Sequence, residues 1–321
     1  MRDHHQAGSD PSPQSNPQLI PDSARPAAQQ RDVAAGPAGS IQLHPITPHI
    51  GIDLRRFDLT QPLDEETFRA IRKAWVAHTI LLVREQSHLQ PEDLIAFARR
   101  FGALDEHDQP QYCLPDYPEI AMVSNVKEGG RYVGAPKAGR QWHSDAQYLR
   151  RPPSASLLWA KEIPPIGGNT CFANMVAAYR ALNAGERARI DPLRVNFSRT
   201  RAYALYHPDR PPLTYEEKSR LPDVQHPLVR NHPETGERAL YVGGEQHSGT
   251  VIGMQEEESD ALLQSLRAFA TQPRFTYEHQ WQVGDLIVWD NRSAMHCALP
   301  FDDERHRRMM YRVQVAGDEP Y

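Results

Sequence analysis

The chain has 321 residues, of which 39% are hydrophobic, enough apolar material for a packed core. Its 36 Lys and Arg are outnumbered by 41 Asp and Glu, and the formal net charge of −5 argues against a general nucleic-acid binder, which needs a basic excess. No apolar run reaches about 18 residues, so no membrane span is expected.

The first 40 residues differ in composition from the rest of the chain. They are rich in Pro, Ala, Gln and Ser and contain no aromatic residue. Such a segment cannot bury enough apolar area to offset its ordering entropy, so we predict a disordered tail at 1–40 and a folded domain at 41–321. The three cysteines are scattered and the N-terminus has no apolar signal segment, which together favour a cytoplasmic location.

The folded part opens with a predicted helix–strand–helix unit. Asp64 suits the N-cap of a helix that runs to about residue 77, with Phe68 and Trp75 on its apolar face. The short apolar run 79–83 predicts a buried strand. Pro91 then suits the first turn of a second helix.

From about residue 120 onward the pattern becomes rich in strands. Helices are predicted only at 175–182 and 256–270. Residues 203–224 are rich in proline and charge and have no clear period, which is typical of a lid or a binding loop. The chain is therefore predicted to be mainly β with flanking helices, as a β-sandwich or jelly roll. The predicted strands are 119–124, 156–160, 169–173, 193–199, 238–242, 275–281, 286–289 and 308–315.

Three residues predict a metal site. In an extended segment, side chains at positions i and i+2 point to the same side, so His143 and Asp145 can bind one ion together. His296 follows a predicted strand and a polar turn, which would place it at a sheet edge. Two imidazoles and one carboxylate are the facial triad of non-haem Fe(II) oxygenases, whereas a structural zinc site closes all four positions.

Several short pieces occur in a fixed order along the chain. They are FARRFG at 97–102, WHSD at 142–145, IPPIGGNT at 163–170, HPLVR at 226–230, GDLIVWDNR at 284–292, RRMMYR at 307–312 and GDEPY at 317–321. In order and spacing they resemble the taurine dioxygenase and 2,4-dichlorophenoxyacetate dioxygenase family. The resemblance covers about residues 41–321.

The resemblance implies a double-stranded β-helix, or jelly roll, and an enzyme. In this family Fe(II) is the metal, 2-oxoglutarate and O₂ are consumed, and succinate and CO₂ are released as a substrate C–H bond is oxidised. Carried over by motif, the iron ligands are His143, Asp145 and His296. Arg308 matches the arginine that pairs with the far carboxylate of 2-oxoglutarate, and Thr170 matches a hydroxyl that contacts the same molecule.

The resemblance also bears on the substrate. Arg312 matches the arginine that binds the substrate's anionic group, and His107 lies near the family's substrate-contacting histidine. A small carboxylate or sulfonate is therefore the expected substrate. Gly139 stands where the taurine enzyme has a polar contact, which argues against taurine itself.

Alternatives to this reading remain open. Because related halogenases lack the carboxylate at Asp145, its presence favours hydroxylation, while desaturation of an amino-acid-derived acid by the same chemistry stays possible. A zinc hydrolase would also use two histidines and an aspartate, but it gives Arg308 and Thr170 no role. A non-catalytic jelly-roll sensor is the third alternative. We expect no nucleic-acid or membrane partner and allow for a homo-oligomer.

Overall fold

The computed structural model describes residues 41–105, 107, 110–206, 211–220, 222–244 and 249–321. The predicted disordered tail, 1–40, lies outside the described residues. Within the described ranges, no helix is both long enough and apolar enough to cross a membrane.

The described elements are mainly strands, with helices between them. The helices are α1 (Glu65–His78), α2 (Pro91–Arg99), α3 (Met175–Ala181), α4 (Ala184–Ile190), α5 (Arg199–Tyr206), α6 (Tyr215–Ser219) and α7 (Glu256–Ala270). The strands are β1 (Gln42–Pro45), β2 (Ile52–Arg55), β3 (Ile80–Val83), β4 (Cys113–Leu114), β5 (Tyr117–Ser124), β6 (Lys127–Glu128), β7 (Arg131–Tyr132), β8 (Ala155–Glu162), β9 (Thr170–Asn174), β10 (Arg194–Phe197), β11 (Val224–Pro227), β12 (Val229–Asn231), β13 (Arg238–Leu240), β14 (Gly249–Val251), β15 (Thr276–His279), β16 (Leu286–Asp290), β17 (Ala294–Ala298) and β18 (Met309–Val315).

The largest sheet has eight strands in the order β1-β2-β3-β16-β8-β18-β5-β4. Its neighbours are antiparallel, except that β2 and β3 are parallel and are connected through α1. A three-stranded sheet has the order β15-β9-β17, and another places β10 between β11 and β14. This arrangement confirms a mainly β protein with flanking helices.

One face of the large sheet packs against α1 and α2. The carboxylate of Asp64 accepts a hydrogen bond from the Thr67 backbone N–H at 2.8 Å and caps α1, as predicted. The apolar stripe of α1 includes Phe68 and Trp75, which lie in one core cluster with Trp159 of β8. Burial of each such large side chain contributes about 1.5–3 kcal/mol, so this packing anchors the sheet from outside.

The other face of the same sheet carries both apolar and polar side chains. Trp289 of β16 lies directly opposite Ser156 of β8, which lies opposite Gln314 of β18. In the next row, Leu158 of β8 lies opposite Arg312 of β18. Because opposite residues share a face, this register places a row of polar groups inside the protein beneath the site described below.

The structure has several elements that the sequence-based expectation lacks. Strands β4, β6, β7, β11, β12, β14 and β17 and helices α4, α5 and α6 were not predicted. Residues 203–224 contain the end of α5 and all of α6, rather than a segment without secondary structure. Since 207–210 and 221 lie outside the described residues, the role of this segment as a lid or binding loop stays a prediction.

Candidate metal centre

Backbone pairing brings the two histidines of the predicted triad together. The His143 N–H donates to the His296 carbonyl at 3.0 Å, and the His296 N–H donates back to the His143 carbonyl at 2.8 Å. The two ring centroids are 4.1 Å apart. His296 thus lies inside β17, at the edge of the three-stranded sheet, in line with its predicted place at a sheet edge.

Three donor atoms converge between these strands. Asp145 Oδ1 lies 3.7 Å from His143 Nε2 and 3.8 Å from His296 Nε2. These separations are too long for hydrogen bonds, and the potential ligand atoms of the three residues all lie within 4.8 Å of one another. The predicted triad is therefore assembled, with a gap between its members that suits one metal ion.

Both rings can present Nε2 to a cation. His143 Nδ1 lies 2.7 Å from the Gln141 carbonyl, an acceptor, so Nδ1 carries the proton and the lone pair is on Nε2. Burial lowers the pKa of His296 to about 3, the interaction with the neighbouring His143 acts in the same direction, and Asp145 opposes both. The ring is therefore neutral, as a metal ligand must be.

The carboxylate of Asp145 is ionised and oriented. Burial would raise its pKa, but interactions with His296, with the Arg312 guanidinium and with His143 outweigh burial and hold the pKa of Asp145 at about 2. Its Oδ2 accepts a hydrogen bond from the Ser156 hydroxyl at 2.6 Å. Only Oδ1 then faces the two histidines.

Glycine at position 139 allows the preceding segment to approach the site closely. Gly139 has φ +70°, and a Cβ there would lie 3.0 Å from His143 Cε1. Its carbonyl accepts a hydrogen bond from the Ala298 N–H at 2.7 Å, which ties the segment to β17. A side chain at this position would be strained and would press on the imidazole.

Arg308 is a buried cation beside the triad's strand. Its Nε donates to the Gly168 carbonyl at 3.1 Å, and burial lowers its pKa to about 10. Among the residues that the structure describes, no carboxylate pairs with it. It opens instead into a pocket whose lining includes Val123, Asn125, Lys137, Leu299 and Phe301.

Thr170 lies two residues after Gly168, in β9. Its hydroxyl oxygen accepts a hydrogen bond from the Trp281 indole N–H at 2.9 Å. Since an indole N–H can only donate, the hydroxyl proton of Thr170 is directed elsewhere. The group is thus a buried donor oriented by its neighbour.

The two predicted substrate residues are both on or beside the large sheet. Arg312 acts electrostatically on both Asp145 and His296, and its Nε is buried with no hydrogen-bond partner in the part of the chain described. His107 Nε2 lies 3.0 Å from the Glu119 carbonyl of β5. Glu119 is two residues from Ala121, which lies directly opposite Arg312.

A comparison with known protein families decides the relationship. The family described as "Taurine catabolism dioxygenase TauD, TfdA family" matches residues 42–314. The chain belongs to the TauD/TfdA family. Membership confirms the predicted enzyme class, a non-haem iron dioxygenase that depends on 2-oxoglutarate, with Fe(II), 2-oxoglutarate and O₂ as cofactor and cosubstrates.

Individual TauD/TfdA relatives show the same class. The (S)-phenoxypropionate/alpha-ketoglutarate-dioxygenase of Sphingobium herbicidovorans is 33% identical over 276 residues, 80% of this chain and 88% of the relative. The alpha-ketoglutarate-dependent sulfate ester dioxygenase of Pseudomonas putida is 32% identical over 286 residues, 87% of this chain and 91% of the relative. A crystal structure of AAD-2 in complex with Mn(II) and N-oxalylglycine has a TM-score of 0.74 at 32% identity and covers 88% of this chain and 99% of that one.

Sequence reasoning did not single out the residues behind Asp145. Ser156, Gln314 and Asn291 form a buried hydrogen-bonded group against this carboxylate. Asn291 stands in the GDLIVWDNR piece that carries the TauD/TfdA resemblance, so that piece was the available signal for it. Ser156 and Gln314 are single polar residues in apolar strands, and no local pattern distinguishes them.

Proposed function

We propose that this chain hydroxylates a C–H bond of a small anionic substrate, a carboxylate or a sulfonate, with Fe(II) as the metal and 2-oxoglutarate as cosubstrate. The observation that carries the proposal is the assembled triad of His143, Asp145 and His296, together with two arginines. Among the residues described, Arg308 has no salt bridge and Arg312 Nε has no hydrogen-bond partner. Such a site suits one cation and two separate anions. Desaturation is the alternative outcome of the same chemistry.

His143 Nε2, Asp145 Oδ1 and His296 Nε2 would hold the iron. The donor set fits this metal, because the imidazoles are neutral and a single carboxylate offsets part of the charge. When bound, iron supplies the activation of O₂ that no side chain can provide. The contribution of the chain is to hold three ligands on one side and to leave the opposite side open.

Arg308 and Thr170 would bind 2-oxoglutarate. A buried guanidinium without an acidic partner is costly, and a ligand carboxylate offsets that cost while forming two parallel hydrogen bonds. The free hydroxyl proton of Thr170 supplies a further donor two residues from Gly168, whose carbonyl positions Arg308. N-oxalylglycine, present in the AAD-2 structure, has the same arrangement of carboxylates as 2-oxoglutarate, which supports 2-oxoglutarate as the cosubstrate.

Arg312 and His107 would receive the substrate. The relatives are named for a phenoxypropionate and for sulfate esters, which share an anionic head and differ in the rest of the molecule. Arg312 suits such a head, since its Nε is buried and without a hydrogen-bond partner among the residues described. Binding at this point fixes which carbon is nearest the metal and so determines which bond reacts.

The architecture follows from the same assignment. We propose that 41–321 form one catalytic domain with a double-stranded β-helix fold, in which the large sheet and the β15-β9-β17 sheet enclose the triad. The zinc hydrolase alternative leaves Arg308 and Thr170 unused, and family membership argues against a non-catalytic sensor. The cytoplasmic location, the absence of nucleic-acid and membrane partners and a possible homo-oligomer stay predictions.

A ligand panel tests the proposal. Carboxylates, sulfonates and sulfate esters are added anaerobically to protein loaded with Fe(II) and 2-oxoglutarate, and the metal-to-ligand absorption band is recorded. A true substrate shifts the band and, once O₂ is admitted, yields equal amounts of succinate and oxidised product. If no anion changes the band or raises succinate formation, while a neutral compound does, the assignment of an anionic substrate is wrong.

A further inference from the structure

A directional hydrogen-bond chain ends on Asp145. The Trp289 indole N–H donates to Asn291 Oδ1 at 2.9 Å. An indole N–H can only donate, so it fixes which end of the Asn291 amide is the oxygen. The amide nitrogen of Asn291 therefore faces the other way and donates to Ser156 Oγ at 2.9 Å.

The Ser156 hydroxyl can donate one hydrogen bond, and its surroundings leave one acceptor for that bond. Its oxygen accepts from Asn291 Nδ2 and, at 3.2 Å, from Gln314 Nε2. Those two donors occupy both lone pairs of the hydroxyl. The hydroxyl proton is left for Asp145 Oδ2, at 2.6 Å, so the bonds that lead from Trp289 through Asn291 and Ser156 to Asp145 each have a defined direction.

We propose that Ser156 is a positioning residue, which reserves Oδ2 of Asp145 for the protein and so makes the carboxylate bind the metal through Oδ1 alone. The proposal rests on Asp145 being a metal ligand, as proposed above. A carboxylate that binds through both oxygens occupies one more coordination position. Two positions are needed for 2-oxoglutarate and one for O₂, so binding through one oxygen keeps the required three open.

The residues of this hydrogen-bond chain are held in place by the large sheet. Trp289, Ser156 and Gln314 are directly opposite one another on three adjacent strands, and Ser156 and Asn291 are both at most 1% exposed. The Trp289 ring also lies 4.6 Å from the His296 ring. One tryptophan thus contacts one predicted ligand directly and orients a second through Asn291 and Ser156. Groups in this position typically change metal affinity when altered.

The first test is metal affinity in the absence of turnover. Metal-free protein is titrated anaerobically with Mn(II) and Fe(II), comparing wild type, Ser156→Ala and Ser259→Ala. Ser259 is the matched control, because it is likewise a fully buried serine, and its hydroxyl oxygen accepts a hydrogen bond from the Val251 N–H at 2.8 Å. We expect Ser156→Ala to bind metal about 10- to 100-fold more weakly and Ser259→Ala to bind as wild type does.

The second test reads the binding mode of the carboxylate. Difference infrared spectra on metal addition give the separation of the two carboxylate stretching bands, which is wider for binding through one oxygen than through two. The separation should be wide in wild type and narrower in Ser156→Ala. If Ser156→Ala does not fold, Ser156→Cys keeps the volume but supplies only a weak donor, and it should change both readouts in the same direction.

The outcomes separate this proposal from the one on which it rests. Wild-type protein that takes up no metal at this site would refute Asp145 as a ligand. Wild type that binds one metal, together with a Ser156→Ala protein of equal affinity and unchanged carboxylate bands, would refute the role of Ser156 alone.

Discussion

Two buried clusters in this protein are each built around an aspartate with histidine beside it, and they differ in how their charges are paired. In the first, Asp290 contacts His232 Nε2 at 2.8 Å and Arg292 at 2.7 Å, and Arg292 also pairs with Glu234 at 2.7 Å. In the second, Asp145 stands 3.7 and 3.8 Å from its two histidines. In the first cluster the opposite charges pair directly with one another. In the second, the potential metal-ligand atoms face a gap between the three side chains.

The electrostatics of the paired cluster follow from its contacts. Burial would raise the pKa of Asp290, but Arg292 and His232 hold it well below its ordinary value. Burial would likewise lower the pKa of Arg292, but Asp290 and Glu234 raise it. Because these groups pair with one another, they stabilise the end of β16 and do not direct ligand atoms toward a shared metal position. Residue type therefore does not identify a metal centre, whereas unsatisfied, convergent donors do.

Exchanging one histidine in each cluster should separate the two roles most sharply. Removing the imidazole in His143→Ala deletes a ligand, and substrate-dependent succinate formation should fall to the level of the protein-free blank. His232→Ala should destabilise the fold yet leave turnover per folded molecule close to wild type. Succinate release and urea unfolding are measured on both variants. Full turnover by His143→Ala would contradict the comparison.

The second prediction concerns stability. Asp290→Asn leaves Arg292 with its buried charge partly uncompensated, and breaking a buried pair in this way costs about 3–5 kcal/mol. The control is Asp58→Asn, which removes the exposed Asp58–His88 pair and should cost no more than about 1 kcal/mol. The free energy of unfolding of the metal-free proteins gives both values. Equal losses of unfolding free energy in the two variants would show that the buried Asp290 cluster does not stabilise the fold more than a surface pair does.

The same aspartate predicts how stability depends on pH. The pKa of Asp290 is depressed in the folded state, so its contribution is complete above the unfolded value of about 3.9 and is lost as pH falls toward the folded value. Urea unfolding of the metal-free wild type should therefore show stability falling between about pH 5 and pH 3. Asp290→Asn should be less stable and should lose less over the same interval. A wild-type curve that is flat there would contradict the pairing.

How much of the fold could be predicted depends on how far apart in the sequence the contacting residues are. The Asp64 cap of α1, Pro91 in the first turn of α2 and the apolar stripe of α7 are local signals, and the predicted helix 256–270 matches Glu256–Ala270. Strand β17 has no β-branched residue, so its local sequence does not predict a strand. It forms because it pairs with β9, which is more than 100 residues earlier in the chain.

The candidate site shows the same limit. His143 and Asp145 are two positions apart, so their spacing predicted a shared ion. Ser156 bonds to Asn291 and Gln314 across separations of 135 and 158 residues, and no local pattern records such contacts. His232 and Asp290 are likewise 58 residues apart. The candidate metal ligands could be predicted from short motifs, whereas the groups that contact Asp145 and the neighbouring Asp290 cluster could not.

The comparison of paired and unpaired charges also applies to two buried arginines. Arg292 has two acidic partners, and Arg308 has none in the described part of the chain. Arg308→Lys loses the planar fork that grips a carboxylate, so KM for 2-oxoglutarate should rise about 10- to 100-fold, equivalent to about 1.5–3 kcal/mol. The neighbouring control Arg307→Lys, whose partner Glu162 is on the surface, should leave KM unchanged. An equal rise in both would place the cosubstrate elsewhere.

The smallest expected effect comes from Thr170, which tests whether a half-satisfied hydroxyl serves the ligand or the fold. Its oxygen accepts from the Trp281 N–H, while no acceptor for its proton is found among the residues that the structure describes. Thr170→Val should raise KM for 2-oxoglutarate about fivefold, corresponding to about 1 kcal/mol, and should also lower stability because the indole loses its acceptor. Thr170→Ser keeps both functions and should keep both values near wild type. If Thr170→Val loses stability but keeps its KM, Thr170 resembles the closed cluster around Asp290 rather than the open one around Asp145, and Arg308 alone would anchor the cosubstrate.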